Sequence, residues 1–486
     1  MKKTLAMLLC GLLLLSMLAG CANNAGQEQE STTETAEQET EWISPELSAT
    51  DEFSGNTLTL LVNHEMNAGS EKASSDPLED AIYRRNDKLE STYGITINTL
   101  LETDYTVLSD KVTKDVSSGN GEYDLVYQHM VNAATNLAVN GLLIDLIDME
   151  HVNFDREWWD QDANEGFTIG AHRFLCVGDL LPHTMLYSAC LAFNKDHFDD
   201  QSLSYPYDLA REGAWTLDEL NALTKDQTKD LNGDGKIEYE KDYYGMTSWH
   251  LAGPFNFFFG SGATFFIKDT ENYPVYSVDQ DKIQNIYDKV YTTFVTNDSL
   301  YVKDINIAAE PYKVFTEGRA LFVSCSLTTI ANAEYGFKDM ADEYGVLPQP
   351  KYDTDQKDYM SFVNGAASVV VVPKSISDDK AAFVGYMMEA LASSSYYMVT
   401  DTLYDKVAKS KNVRDPESAE MVDIIIRNRV FDFGYAHFFT KGYPCAVLFQ
   451  TCLDANNSSV ASAVKRVKDK VMEKDINRIL EVYQAD

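Results

Sequence analysis

The sequence predicts an α/β protein of more than one domain that ends in a run of helices. Three observations predict it. Short apolar runs alternate with amphipathic helical periods between Thr57 and Tyr127, a second strand-and-helix set begins at Tyr187, and helical periodicity dominates beyond Pro373. The chain's 486 residues, 44% of them hydrophobic, exceed one ordinary core, since domains run to about 150 residues each.

The first segment, residues 1–20, reads as a secretion signal. Lys2 and Lys3 give a positive start, and Leu5 to Gly20 is an apolar run of sixteen residues, shorter than the ~20 a spanning helix needs. Leu18-Ala19-Gly20-Cys21 resembles the lipobox of bacterial lipoproteins, in which small residues admit a peptidase and the cysteine thiol receives a diacylglycerol. The resemblance implies lipidation at Cys21 and a lipid-anchored place on the extracellular face of the membrane of a Gram-positive type bacterium. Residues 21–55 are rich in Glu, Gln, Thr and Ser, with no Lys or Arg between Lys3 and Lys72. Too little apolar surface is present to offset ordering, which predicts a disordered acidic tether spanning roughly 30 to 35 Å.

The folded part opens with Thr57 to Val62, of strand character. Leu78, Ile82 and Leu89 mark one face of a helix that Gly94 ends; Ile95 to Leu101 alternates as a strand does; Leu108, Val112 and Val116 mark a second helix closed at Gly119; and Tyr123 to Tyr127 is another apolar strand. This β-α-β-α-β order requires a parallel sheet with right-handed crossovers. Ligands of such sheets sit outside the carboxyl ends of the strands, which makes His64, Glu65 and His129 candidates for a cleft wall. Tyr187 to Asn194 is the next strand, and Thr216-Leu217-Asp218-Glu219 is a capping box opening a helix. Ile283, Ile286, Tyr287, Val290, Tyr291 and Phe294 form the apolar stripe of another. Beyond Pro373, helices are marked by Phe383, Tyr386, Met387 and Leu391, by Asp415-Pro416 as cap and first residue, and by Val460, Val464, Val467 and Val471.

The formal charge of −36 becomes −38 once Lys2 and Lys3 leave with the signal. Such a surface repels phosphate backbones, so nucleic acid is excluded as a partner. Beyond Cys10 and Cys21, the cysteines are Cys176, Cys190, Cys325, Cys445 and Cys452. Five is odd, and the spacing is not that of a disulfide framework, so buried free thiols are expected.

Several stretches resemble one family. Tyr123-Asp124-Leu125-Val126 with Asn140 to Leu146, Phe193-Asn194-Lys195, Phe315 to Phe322, and Gly345 to Pro350 followed by Lys351-Tyr352 stand in the order found in extracellular solute-binding proteins, family 1 type, of carbohydrate ABC transporters. The resemblance implies a type II, two-lobe periplasmic-binding-protein-like fold with a helix-rich C-terminal region. By analogy, lobe one is 56–182 with 324–366, and lobe two is 183–323 with 367–486. It also implies a monomer that clamps a carbohydrate by hinge closure, hands it to the transmembrane subunits of an ABC permease, and does no catalysis. A surface glycan receptor without a transporter and an extracellular glycoside hydrolase are the alternatives.

Asp230-Leu231-Asn232-Gly233-Asp234-Gly235-Lys236-Ile237-Glu238 matches the first nine positions of an EF-hand-type loop, with side-chain oxygens from Asp230, Asn232 and Asp234, a carbonyl from Lys236, and Glu238 at the ninth. Lys241 stands at the twelfth position in place of the bidentate acid; Glu240 and Asp242, one residue either side, are the candidate substitutes, and Asp242 is favoured. A structural calcium ion is expected over an empty polar turn, and no other cofactor.

Aromatic residues make up 12% of the chain and crowd between Trp249 and Phe266. Sugar rings present C–H faces that stack on aromatic planes while polar neighbours bond the hydroxyls. Trp249, His250, Phe255 and Asn256 are the candidates here, with Phe257, Phe258, Phe265 and Phe266 assigned to the core. Ser324, Ser326, Asn364 and Gly365 on crossing strands, and Asp432 and Tyr435 from the helical region, complete the set. No G-x-S-x-G, Walker A, G-x-G-x-x-G or H-E-x-x-H motif occurs.

Overall fold

The computed structural model describes residues 42–47, 52–70, 72–250, 253–408, 416–438, 444–467 and 473–484. The signal segment and Cys21 lie outside these. The last part of the expected tether does not behave as one: Leu47 and Phe53 are buried, the Phe53 ring packs on Phe383 and Tyr386, and Glu46 pairs with Arg156. Trp42, Ile43, Leu47 and Phe53 supply apolar surface that the segment before them lacks, and it docks on the body.

The first sheet begins with β1 (Thr57–Val62), β2 (Thr96–Leu101) and β3 (Leu125–His129), all parallel, with Leu60 opposite both Thr99 and Leu125. Helices Pro77–Tyr93 and Tyr105–Ser118 make the crossovers. Each starts on an aspartate whose carboxylate accepts two amides, Asp76 and Asp104, and each is followed by a glycine at positive φ, Gly94 at 63° and Gly119 at 67°.

The chain then builds the second sheet from β4 (Ala189–Asn194) and β5 (Tyr244–Trp249). A hairpin of β6 (Phe266–Lys268) and β7 (Pro274–Tyr276) intervenes before β8 (Leu300–Val302), β9 (Ala320–Ser326) and β10 (Tyr344–Pro348). β11 (Ser361–Phe362) and β12 (Ser368–Val371) follow, and β13 (Arg429–Val430) comes after the first C-terminal helices. The sheet orders are β12-β3-β1-β2 and β10-β4-β9-β5-β8, with β11 paired to β13.

Two strands depart from the expected lobe assignment. β10, expected in lobe one, lies antiparallel to β4 in the second sheet, and β12, expected in lobe two, lies antiparallel to β3 in the first. Both are apolar runs buried along their whole length, and such runs carry no mark of which sheet they join.

The C-terminal helices, expected with lobe two, alternate between the sheets. Ser395, on helix Asp378–Met398, accepts from Arg85 at 2.8 Å. Ser418, on helix Pro416–Arg427, meets Tyr207 at 2.7 Å and accepts from the Val346 amide of β10. Phe449 packs on Phe258, and Arg478 donates to Asn140 at 3.0 Å.

Candidate functional site

The carboxyl ends of β1 and β3 and the start of the helix after β2 form one wall of a cleft. His64, just beyond β1, caps the short helix Glu65–Ala68, its Nδ1 accepting from the Met66 amide at 3.1 Å. That places the proton of the neutral ring on Nε2. The His64 ring stacks on His183 with centroids 3.4 Å apart. His129 closes β3 against Tyr105, the first residue of its helix, at 4.5 Å. Burial pushes the His129 imidazole down to about 4, so it is neutral at physiological pH.

The second sheet supplies the facing wall. Trp249 is the last residue of β5, and helix Gly253–Gly260 carries Phe255 and Asn256. The Asn256 amide donates to Ser324 Oγ at 3.1 Å and to the Cys325 carbonyl at 3.4 Å. Ser326 ends β9 and caps the helix Leu327–Ala331. Between the walls run the crossing segments, with Tyr187, Phe362 and Asn364, and the Tyr435 hydroxyl accepts from the Gly365 amide at 3.3 Å. A side chain at Gly365 would come within 2.5 Å of Val131 and 2.8 Å of Tyr435, so only glycine lets these groups close on one another.

The cleft between the walls holds about 560 Å³, within the usual ~300–1,000 Å³ of small-molecule sites. Of the residues picked from the sequence, His64, His129, Trp249, Phe255, Asn256, Ser326, Asn364 and Tyr435 line it. Glu65, His250 and Asp432 are not part of that lining. His250 Nδ1 and its own amide are turned to the Val302 carbonyl. Asp432 is buried and accepts from the Tyr435 amide at 2.7 Å and Thr264 Oγ1 at 3.0 Å, a carboxylate that holds a turn. Phe257, Phe258, Phe265 and Phe266 are core.

The sequence reading missed Tyr105, Tyr187, Tyr312, Tyr335, Thr328 and Asn332, all in the lining. Tyr105 follows the carboxyl end of β2 and was open to the rule that found His64; the others depend on tertiary placement alone. The described lining is eight aromatic rings, two histidines, three amide- or hydroxyl-bearing residue types, one cysteine and alanines, with no Asp, Glu, Lys or Arg among them. Trp249 Nε1 and His129 Nδ1, one from each wall, have no hydrogen-bond partner among the described residues.

Residues 85–405 match the family described as bacterial extracellular solute-binding protein. The chain belongs to that family. Its fold is the two-lobe periplasmic-binding-protein type, as likeness to solved structures shows. A cyclo/maltodextrin-binding protein complexed with maltotetraose superposes with a TM-score of 0.56 at 15% identity, covering 86% of this chain and 98% of that one. A maltose-binding periplasmic protein of Listeria monocytogenes in complex with maltose gives 0.56 at 16% identity over 86% and 98%. An ABC substrate-binding protein of the same organism in complex with cycloalternan gives 0.55 at 14% over 88% and 99%. No curated protein matches the chain by sequence.

Two other features of this solute-binding protein stand apart from that cleft. A cavity of about 700 Å³ is lined by helices and loops carrying Asp160, Asp179, Thr400 and Tyr404, together with Arg429 at the start of β13. Its guanidinium pairs with Asp160, and burial pushes the Asp179 carboxyl up to about 7. No strand end of either main sheet opens into it.

The other is the loop at Asp230. Gly233 and Gly235 take φ of 73° and 82°, Asp230 accepts from both of their amides, Asn232 from the Asp234 amide and Asp234 from the Lys236 amide. The donor set suits a hard cation at these positions. Beyond them it does not: Lys241 Nζ sits 2.5 Å from Glu238 and 3.8 Å from Asp234. Asp242 is turned inward to the Leu231 and Glu238 amides. Among the described residues no group of three or more His, Cys, Asp or Glu side chains is placed to hold a metal ion, and no helix is long and apolar enough to cross a membrane.

Proposed function

We propose that this solute-binding protein captures a carbohydrate, an oligosaccharide, between its lobes and delivers it to an ABC permease while tethered to the membrane through Cys21. The observation that carries the reading is the cavity itself. It lies outside the carboxyl ends of strands from both sheets, where α/β folds bind ligands, and alternates aromatic rings with amides and hydroxyls. Rings such as Tyr105, Tyr187 and Trp249, the accessible aromatics of the lining, present flat apolar faces to sugar C–H groups, while Asn364, Ser326 and the Trp249 N–H meet hydroxyls. The maltotetraose, maltose and cycloalternan complexes named above lend the same direction.

A glycosidase would need two carboxylates facing the scissile bond, ~5 to 9 Å apart; the described lining offers neutral groups. Ligand contact with both walls favours the closed state by whatever it gains there and nowhere else.

The test is a thermal-shift screen against neutral oligosaccharides, with chromatography of each hit and small-angle scattering of the complex. A hit should be recovered intact and should reduce the radius of gyration. Recovery of cleaved sugar would make the protein a hydrolase, and unchanged dimensions would end the hinge-closure account. A hit with no permease gene beside this one would favour a glycan receptor.

A further inference from the structure

Two cysteines face each other across the central strands of the second sheet. In the antiparallel pair of β4 and β9, Cys190 stands directly opposite Cys325, their Sγ atoms 3.6 Å apart and both side chains buried. Opposed residues of an antiparallel pair have Cα atoms about 4.5 or 5.5 Å apart, inside the ~4.4 to 6.8 Å that a disulfide spans. The sulfurs need to approach by about 1.5 Å from their 3.6 Å separation to reach bonding distance.

We propose that Cys190 and Cys325 form a disulfide under the cleft when the protein folds in the oxidising extracellular space. The family is extracellular, where such bonds persist. With this pair joined, three of the five cysteines remain, of which Cys176 and Cys452 are buried, and the odd count leaves at least one of the three unpaired within the chain.

The oxidant is a small-molecule disulfide. One protein thiolate attacks it, forming a mixed disulfide and releasing one thiol; the second protein thiolate attacks the mixed disulfide at the protein sulfur, releasing the other. The two protons lost by the cysteines end on the two released thiols, and the two electrons reduce the small disulfide. Burial raises the Cys190 thiol well above its ordinary range, and exchange needs the thiolate. The linkage therefore forms during folding, before β4 and β9 close over it, and resists reduction afterwards.

The position ties the bond to ligand capture. Cys325 and Ser326 line the cavity, Asn256 is anchored on the Cys325 carbonyl, and Gln349 donates to the Cys190 carbonyl at 2.8 Å. A cross-link pins the end of β9 on which the second wall is built.

The test is peptide mapping of the full chain refolded in a mixture of reduced and oxidised glutathione, with free thiols capped by N-ethylmaleimide before digestion. The expected result is a cross-linked pair of peptides carrying Cys190 and Cys325, 2 Da lighter than their reduced sum, with Cys176 capped. Capping of both Cys190 and Cys325, or pairing of either with another cysteine, overturns the proposal. As a second readout, the oxidised protein should melt several degrees above the same sample refolded in dithiothreitol, and the difference should vanish in Cys190→Ala. A difference that survives that substitution belongs to another cysteine and counts against the pair.

Discussion

Trp249 combines two properties suited to a binding site: it ends a strand at the cavity, and its indole N–H lacks a partner among the described residues. Buried polar groups are nearly always satisfied, and a ligand oxygen would do so here. Replacing Trp249 with Ala should weaken carbohydrate binding by about 2 kcal/mol, or ~30-fold, while Trp249→Phe should keep the stacking and lose only the hydrogen-bond share. Titration calorimetry of the two variants separates them, and equal affinities for Trp249→Ala and wild type would remove Trp249 from the site. At this scale the sequence picked out cavity-lining residues where chemistry and strand position coincide, as at His64, His129 and Trp249. It misled where a residue type suited to binding is used up internally. Asp432 had the right chemistry, and its oxygens serve Thr264 and Tyr435 instead.

Among the elements, helix Tyr105–Ser118 joins stability to the site most directly. Asp104 accepts from the Thr106 and Val107 amides at 2.9 and 3.1 Å, so its removal should cost about 1 kcal/mol. It should also loosen Tyr105, which lines the cavity. Urea unfolding of Asp104→Ala would report the first and ligand affinity the second; an unchanged midpoint would deny the cap its role.

The loop at Asp230 makes a separate prediction. A calcium ion bound there would have to compete with the Lys241 ammonium, so on the EF-hand-type expectation its addition to chelator-treated protein should raise the melting temperature, and more so in Lys241→Glu. If calcium moves neither protein, the loop is a polar turn. Helices and glycine stops were legible because capping and periodicity are local. The pairing of β10 and β12 was not, because it is decided by partners more than 100 residues away, β4 for one and β3 for the other.

For the whole molecule, Asp179 gives stability a pH dependence of its own. Burial, only partly offset by Arg429 and the Thr400 hydroxyl, lifts its carboxyl to about 7, against ~3.9 in an unfolded chain. Between those values the folded state keeps a proton that the unfolded state has released. The contribution is therefore full below pH ~4 and is lost as pH rises through about 7. Asp179→Asn should flatten that decline by on the order of a few kcal/mol; urea midpoints across the range would show it, and an identical slope in the variant would assign the decline elsewhere. The two-lobe plan itself was legible from motif order. How the last hundred residues would be shared between the lobes was not, since each amphipathic helix announces that it has an apolar face and not which surface will cover it.

That sharing has a mechanical consequence. The lobes are joined by the segments around Tyr187 and Phe362, by β13 lying along β11, and again by a C-terminal chain that touches Arg85, Val346, Phe258 and Asn140 in turn. A single linker would leave one body free to twist and slide against the other. Several attachments in a row act as the pins of a door: under the proposed hinge closure they would leave one axis to turn about and suppress the rest, so the two walls of the cleft would meet in the same register each time.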